Sequence, residues 1–152
     1  MAQSLAKLYV HLIFSTKNRE RVLRDDLRLR PALHDYMGGI LRDLGCIAVE
    51  INTEPEHTHA LFILARTAAL SDVVGHFKKG STNWLQQQRR ELREFHWQNG
   101  YGAFSVSQSN VDVVREYIRN QREHHTKQSF EDEFRAILRK HDVEFDERYV
   151  WD

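Results

Sequence analysis

Hydrophobic positions along this chain follow two periods, and the switches between them divide its first half into elements. Residues 6–17 (AKLYVHLIFSTK) are β-branched and aromatic and end in polar side chains, which predicts a strand. In residues 25–45, apolar side chains recur at three- and four-residue steps between an acidic start and Gly45, which predicts a helix. Residues 46–52 and 57–65 predict two further strands, joined by the turn-like TEPE.

The second half of the chain is predicted to hold three helices and one more strand. Ser71, Asn110 and Ser129 are candidate N-caps, because short polar side chains accept hydrogen bonds from the first backbone N–H groups of a helix. The strand is a mixture of aromatic residues and glycines, typical of a strand or hairpin with a bulge. The segments are a helix over 70–93, the strand within 95–107, and helices over 110–127 and 129–141.

The order of these elements predicts the fold class. Strand, helix, strand, strand, helix, strand is the split βαβ arrangement, so we expect an α+β, ferredoxin-like antiparallel sheet. Helices should lie on one face, and two C-terminal helices follow. The length of 152 residues predicts a single domain over residues 1–152.

Composition narrows the class of protein. The hydrophobic fraction of 41% and the charged fraction of 29% are those of an ordinary globular domain. The single cysteine, Cys46, excludes an internal disulfide framework and fits a reducing compartment. No apolar run is long enough to span a membrane, and the first one lacks a signal-peptide cleavage site. We therefore expect a cytoplasmic protein without a membrane partner.

The charge is zero in total but uneven along the chain. Residues 1–30 carry seven Lys/Arg against three Asp/Glu, and residues 66–93 carry six against two. Residues 129–152 carry four against eight. The folded protein can therefore have a positively charged face although its net charge is zero. The alternative is that these are solvated helix faces. The candidates for neutralising a nucleic-acid backbone are Lys17, Arg19, Arg21, Lys78, Lys79, Arg89, Arg90 and Arg93.

Two histidines stand at the start of the third predicted strand. His57 and His59 point to the same face because side chains alternate along a strand, whereas Thr58 points to the other. Their ring nitrogens can converge on one metal ion, but two ligands do not make a site. The alternative is a solvated strand end that carries two of the chain's nine histidines.

A second candidate lies on the helix predicted over 110–127. Tyr117 and Gln121 are four residues apart and therefore share one face of the helix. A Gln carbonyl oxygen can coordinate a metal, and a tyrosine hydroxyl one turn away can attack a phosphate that the metal polarises. The alternative is that Tyr117 lies at the edge of an apolar stripe with its hydroxyl in water.

Taken in order, five segments resemble one family along nearly the whole chain. They are HLIFSTKNRERVL, HTH, WQNGYGAFSVS, YIRNQ and FEDEFRAILRKHDVEFDERYVW. They are similar to the HUH single-tyrosine transposases of the insertion-sequence 200/605 type, also called TnpA-like. The resemblance implies His57 and His59 as metal ligands, Gln121 as the third ligand and Tyr117 as the nucleophile. Thr58 departs from the family, which usually has a bulky apolar residue there; we expect a change in packing and no loss of ligation.

The resemblance also implies an activity and partners. It implies an enzyme that nicks and rejoins single-stranded DNA at hairpin-marked element ends, through a 5′-phosphotyrosine and with Mg²⁺ or Mn²⁺. It further implies a homodimer in which the tyrosine helix of one chain meets the histidine pair of the other. The alternatives are a host-adapted nicking enzyme, a phosphodiesterase that uses water, and a catalytically inert nucleic-acid-binding module. Trp97, Tyr101 and Phe104 are candidates for stacking on bases, with a place in the core as the favoured interpretation.

Overall fold

The first strand lies inside the sheet because both of its faces are apolar. A computed structural model describes residues 2–24 and 26–152. Within those residues one four-stranded sheet forms in the order β2-β3-β1-β4, and every neighbouring pair is antiparallel. The strands are β1 (Leu8–Ser15), β2 (Ile47–Glu54), β3 (His57–Leu64) and β4 (Gly102–Val106). This strand order is that of the split βαβ fold, which confirms the predicted α+β class.

Two helices, α1 (Leu29–Asp43) and α2 (Leu70–Gln88), cover one face of the sheet. The carboxylate of Asp26 accepts hydrogen bonds from the backbone N–H groups at the start of α1, and hydrogen bonding holds the pKa of this carboxyl at about 2. The predicted first residue of this helix, Asp25, lies outside the described residues. The predicted cap Ser71 is wrong: α2 begins at Leu70, and Ala69 occupies the N-cap position, two residues before Ser71.

Three helices cover the opposite face: α3 (Val111–Arg119), α4 (Gln121–His125) and α5 (Phe130–Lys140). The sequence predicted α3 and α4 as one helix, but the structure breaks it at Asn120. The side chain of Asn52 explains the break. Its Nδ2 donates to the carbonyl of Ile118 at 2.7 Å and lies 3.4 Å from that of Arg119. These two carbonyls at the end of α3 therefore have a side-chain partner in place of the next helical turn.

Polar residues of β2 attach this broken helix to the sheet. Glu50 accepts a hydrogen bond from Arg119 at 2.8 Å, and Glu54 lies 3.6 Å from the guanidinium of Arg122. Together with Asn52, these contacts fix the rotation of α3 and α4, and so the direction in which their functional side chains point. Because the helix is broken at Asn120, α3 and α4 each have their own contact with β2.

The last helix, α5, approaches the sheet closely because β4 begins with a glycine. A Cβ atom at Gly102 would lie 2.6 Å from a ring carbon of Phe134, closer than real side chains approach each other. Ser129 caps α5 as the sequence predicted, since its hydroxyl accepts a hydrogen bond from the backbone N–H of Asp132 at 3.2 Å. Among the described residues, no helix combines the length and the apolar character needed to cross a bilayer.

Two glycine substitutions test how α5 is seated. We expect Gly102→Ala to lower the free energy of unfolding by about 1–3 kcal/mol, because the new methyl group overlaps Phe134. Gly39→Ala, in the interior of α1 with no atom within 4 Å of the added Cβ, should raise it by about 0.5–1 kcal/mol. Urea denaturation of both variants measures these changes. A Gly102→Ala protein as stable as the parent would contradict the close approach.

Candidate metal and tyrosine site

His57 and His59 lie on the sheet face that α3, α4 and α5 cover. Both side chains are completely buried, which excludes the alternative of a solvated strand end. Thr58 points to the opposite face as predicted, and its hydroxyl donates to the carbonyl of Asn52 at 3.1 Å. Thr58 is therefore a packing residue and has no contact with the imidazole pair through its hydroxyl.

The two predicted residues of the tyrosine helix reach the histidine pair within a single chain. The Gln121 Oε1 atom lies 3.0 Å from His57 Nε2, and the ring of Tyr117 meets the ring of His59 edge to face at 5.9 Å. The structure thus brings together all four residues that the resemblance assigned to metal binding and attack. A second chain is not needed to bring them together, so the composite arrangement stays a prediction from the family resemblance.

The Nδ1 atom of each imidazole, the outer nitrogen of the pair, is hydrogen-bonded to a buried side chain. His57 Nδ1 lies 2.8 Å from Glu56 Oε1, and Arg21 forms an ion pair with the same carboxylate. His59 Nδ1 lies 2.8 Å from His11 Nε2 on the neighbouring strand. Such partners fix the ring orientation and tautomer of metal-binding histidines. Both rings are therefore held with Nε2 directed into the space between the sheet and the helices.

Glu133 of α5 is a site residue that sequence reasoning missed. Its side chain is 2% exposed, with Oε1 lying 3.1 Å from His59 Nε2 and Oε2 accepting a hydrogen bond from the Tyr117 hydroxyl at 2.5 Å. The signal for it was periodicity: Glu133 occupies the position between Phe130 and Phe134 on the buried stripe of its helix.

The charges of the site depend on Glu133. Burial would raise the pKa of this carboxyl, but His59, His125 and His57 hold the pKa far below its ordinary range, so Glu133 is ionised. Burial and the neighbouring Glu133 carboxylate raise the pKa of the Tyr117 hydroxyl well above its ordinary value. Burial also lowers the pKa of His59, against the opposing effect of Glu133. In this arrangement the phenol is protonated and donates to an ionised carboxylate.

The donor atoms fit a divalent cation. If His57 Nδ1 donates to Glu56, its Nε2 presents a lone pair to the Gln121 oxygen 3.0 Å away, and two acceptors face each other. A cation between them would satisfy both. One donor atom from each of His57, His59 and Glu133 lies within 4.8 Å of the other two. Bonds of 2.0–2.1 Å to an octahedral ion place adjacent ligands roughly 3 Å apart, close to the separations found here.

Two further histidines of α4 border the site. His125 Nε2 lies 3.1 Å from Gln121 Oε1 and 3.4 Å from Glu133 Oε2. Although burial works to lower it, Glu133 raises the pKa of His125. The ring of His124 packs on that of Tyr117 with centroids 4.7 Å apart. Like His11, both of these histidines therefore border the cluster.

The basic residues proposed for DNA fall into separate groups. Arg21 and Arg19 lie beside the site, where Arg21 pairs with Glu56 and Arg19 with Glu131. Lys78 is held inside the protein, because its ammonium donates to the backbone carbonyls of residues 98–100 at 2.5–3.1 Å. Lys78 therefore anchors the loop of residues 98–100, and its ammonium is not free to bind a phosphate. Of the rest, Arg89 pairs with Asp26, and Lys17, Lys79, Arg90 and Arg93 form no ion pair with the described residues.

The aromatic candidates divide in the same way. Trp97 is buried and its indole N–H donates to the Ser81 hydroxyl at 2.9 Å, and Phe104 is buried beside Phe134. Both belong to the core, as the favoured interpretation had it. Tyr101 is 39% exposed and remains accessible.

A buried imidazole pair, an amide oxygen and a tyrosine thus meet on one face of a ferredoxin-like sheet. The sequence profile of the family described as "Transposase IS200 like" matches residues 4–121. The match covers most of the 152 residues, so the chain belongs to the IS200-like transposase family. The profile ends at Gln121 and does not include α5. No curated protein matches the chain.

Two solved structures are similar to this one. A protein of Deinococcus radiodurans R1, provisionally described as a transposase, aligns with a TM-score of 0.61 at 25% identity, covering 80% of this chain and 95% of its own. A REP-associated tyrosine transposase bound to a REP hairpin aligns with a TM-score of 0.57 at 16% identity, covering 82% of this chain and 74% of its own. The second likeness concerns the fold alone.

The contact behind His57 can be tested by metal binding. We expect Glu56→Gln to weaken Mn²⁺ binding about 10- to 100-fold, because the ring of His57 loses the carboxylate that fixes its tautomer. Glu20→Gln, a neutralised carboxylate on the exposed surface, should leave the affinity unchanged. Calorimetric Mn²⁺ titration of both variants provides the comparison. Equal affinities for Glu56→Gln and the parent would show that this carboxylate does not support the site.

Proposed function

We propose that this chain is a transposase that nicks and rejoins single-stranded DNA at hairpin-marked element ends. The observation that carries the proposal is the meeting of the Tyr117 hydroxyl with His57, His59 and Gln121 in one buried cluster. A tyrosine beside a metal-binding donor set is suited to attack on a phosphodiester.

Each residue has a role in the reaction. The Tyr117 oxygen attacks the scissile phosphorus, which gives a 5′-phosphotyrosine and releases a 3′-hydroxyl. A second 3′-hydroxyl then attacks the phosphotyrosine, restores the phosphodiester and frees the phenol. His57, His59 and Gln121 hold the divalent cation, Mg²⁺ or Mn²⁺, that when bound polarises a phosphoryl oxygen and neutralises its charge. Glu56 and His11 hold the two imidazoles in register, since each occupies an outer nitrogen.

DNA reaches the tyrosine from one side. His57, His59 and Gln121 are fully buried, so a DNA strand cannot approach them through the β-sheet or through α4. A cavity of about 560 Å³ borders Tyr117 between α3 and α5 and includes His11, Glu133 and Lys140 in its wall. We propose this cavity as the entry for the nucleotides that flank the scissile phosphate, with Lys140 at its wall to receive the backbone charge.

Hairpin recognition is proposed by analogy. The REP-associated tyrosine transposase that shares this fold is bound to a REP hairpin. In this chain, Lys17, Arg19 and Arg21 follow β1 directly and lead from the histidine end of the sheet to the surface. We assign this loop to the phosphates of the hairpin, and Lys79, Arg89 and Arg90 to more distant contacts, because α2 lies on the other face.

The proposal is tested by covalent capture. We expect the purified protein, incubated with Mn²⁺ and single-stranded oligonucleotides from the flanks of its own gene, to form a DNA adduct that survives denaturing electrophoresis. Tyr117→Phe and His57→Ala should each abolish the adduct, whereas Tyr101→Phe, which removes an exposed phenol, should retain it. Cleavage that survives Tyr117→Phe would identify water as the nucleophile. Hairpin binding without any adduct would favour the inert module.

A mixing experiment decides between a single-chain and a composite site. Family resemblance implies a homodimer with composite sites, whereas the contact between Gln121 and His57 here lies within one chain. We expect that mixing Tyr117→Phe with His57→Ala restores no adduct, because every single-chain site then lacks one essential group. Restored adduct formation, up to half of the parent's sites, would establish that tyrosine and histidines come from different chains.

A further inference from the structure

The buried stripe of α5 carries one charged residue that the proposed reaction has not used. Glu133 lies on it beside Phe130 and Phe134, and its side chain is 2% exposed. Removing a carboxylate from water costs several kcal/mol unless paired groups compensate for it. Its surroundings must therefore supply cations or donors, and these can only come from the histidine cluster and the tyrosine it faces.

One oxygen of Glu133 lies where a ligand of the same cation would lie. Oε1 is 3.1 Å from His59 Nε2 and 3.7 Å from His57 Nε2, and Gln121 Oε1 is 3.0 Å from His57 Nε2. The separations of 3.0 and 3.1 Å are close to those of neighbouring ligands around one divalent cation, roughly 3 Å, whereas the separation of 3.7 Å is longer. The two imidazoles, the amide oxygen and the carboxylate oxygen would then hold the cation together.

The other oxygen of Glu133 faces the nucleophile. Oε2 accepts the hydrogen bond of the Tyr117 hydroxyl at 2.5 Å, and His125 Nε2 lies 3.4 Å away. A carboxylate that binds a cation through one oxygen and a phenol through the other fixes the distance between them. Glu133 would then hold the Tyr117 oxygen beside a phosphate bound at this site, and orientation of this kind supplies much of the acceleration in phosphoryl transfer.

The chemistry of the donor set agrees with such a ligand. Two imidazoles alone favour zinc, nickel or copper, whereas oxygen ligands of negative charge favour Mg²⁺ and Mn²⁺. Gln121 supplies a neutral oxygen only, so a carboxylate is what this set lacks for a hard cation.

We propose that Glu133 is an additional ligand of the divalent cation in this site and that its second oxygen positions the Tyr117 hydroxyl. The inference rests on the proposed function. It assigns the role to a helix outside residues 4–121, the part of the chain that the family profile matches.

Mn²⁺ binding in the absence of DNA tests the ligand role directly. Free Mn²⁺ is measured by electron paramagnetic resonance during titration of the parent, Glu133→Gln, Glu131→Gln and His57→Ala. We expect Glu133→Gln to weaken binding by at least about 10- to 100-fold, the loss already typical of a residue that only supports a ligand. Glu131→Gln should leave binding unchanged, because this neighbour on α5 pairs with Arg19 at the surface.

The outcomes separate this inference from the proposed function. Loss of Mn²⁺ binding in His57→Ala but not in a folded Glu133→Gln would overturn the ligand role and leave the histidine site standing. A parent protein that binds no Mn²⁺ would overturn both. If circular dichroism shows that Glu133→Gln does not fold, Glu133→Asp replaces it: the shorter carboxylate should weaken binding about tenfold, and an unchanged affinity would overturn the role.

The positioning role has a separate readout. At Mn²⁺ concentrations that saturate both proteins, Glu133→Gln should form the covalent adduct about 10- to 100-fold more slowly than the parent. The rate is measured at saturating oligonucleotide, because Glu133 lines the proposed entry and its substitution can change the affinity for DNA. An unchanged rate at saturating Mn²⁺ would show that the hydrogen bond to Tyr117 does not position the nucleophile.

Discussion

The burial of two imidazoles on one face of a β-sheet is the constraint on which the rest of this structure depends. His57 and His59 are completely buried, so every ring nitrogen must find a partner inside the protein. The strands and their turn satisfy only the outer nitrogens, one of them through Glu56. The inner nitrogens face Gln121 and Glu133, which lie above the sheet, and a cation between these groups would satisfy them. The helices on this face are therefore joined to the sheet through polar contacts as well as through an apolar core.

The contacts that satisfy the imidazoles also determine the state of the tyrosine. Tyr117 is a protonated phenol that donates to an ionised carboxylate, and a phenol is a weaker nucleophile than a phenolate. Binding of a cation at the same carboxylate would offset negative charge around the hydroxyl, whereas an arriving phosphodiester would add a negative charge. Chemistry is thereby coupled to the seating of α5, which depends in turn on the absence of a side chain at Gly102. A helix at the end of the chain thus has a direct connection to the reacting atoms.

The sequence predicted the strands and the fold through local periodicity. The family resemblance named four candidate site residues, and the structure brings them together. The sequence placed His57 and His59 on one face through the period of a strand. It did not predict the break at Asn120, since the side chain that ends the helix comes from a distant strand. It missed Glu133 because an acidic residue in the first turn of a helix has a sufficient local explanation. It counted Lys78 among the DNA-binding charges, although a charge in a sequence does not reveal which carbonyls it meets.

Anomalous diffraction from crystals of the full chain soaked in Mn²⁺ tests the central claim most directly. That claim is that sheet and helices form one cation site between His57, His59, Gln121 and Glu133. The account predicts one strong manganese peak bonded to both Nε2 atoms, with oxygen ligands from Gln121 and Glu133. A second group of donors, formed by Glu56, His57 and His125, also lies close enough together to bind an ion. A peak there, or bound manganese without Glu133 in contact, would contradict the account.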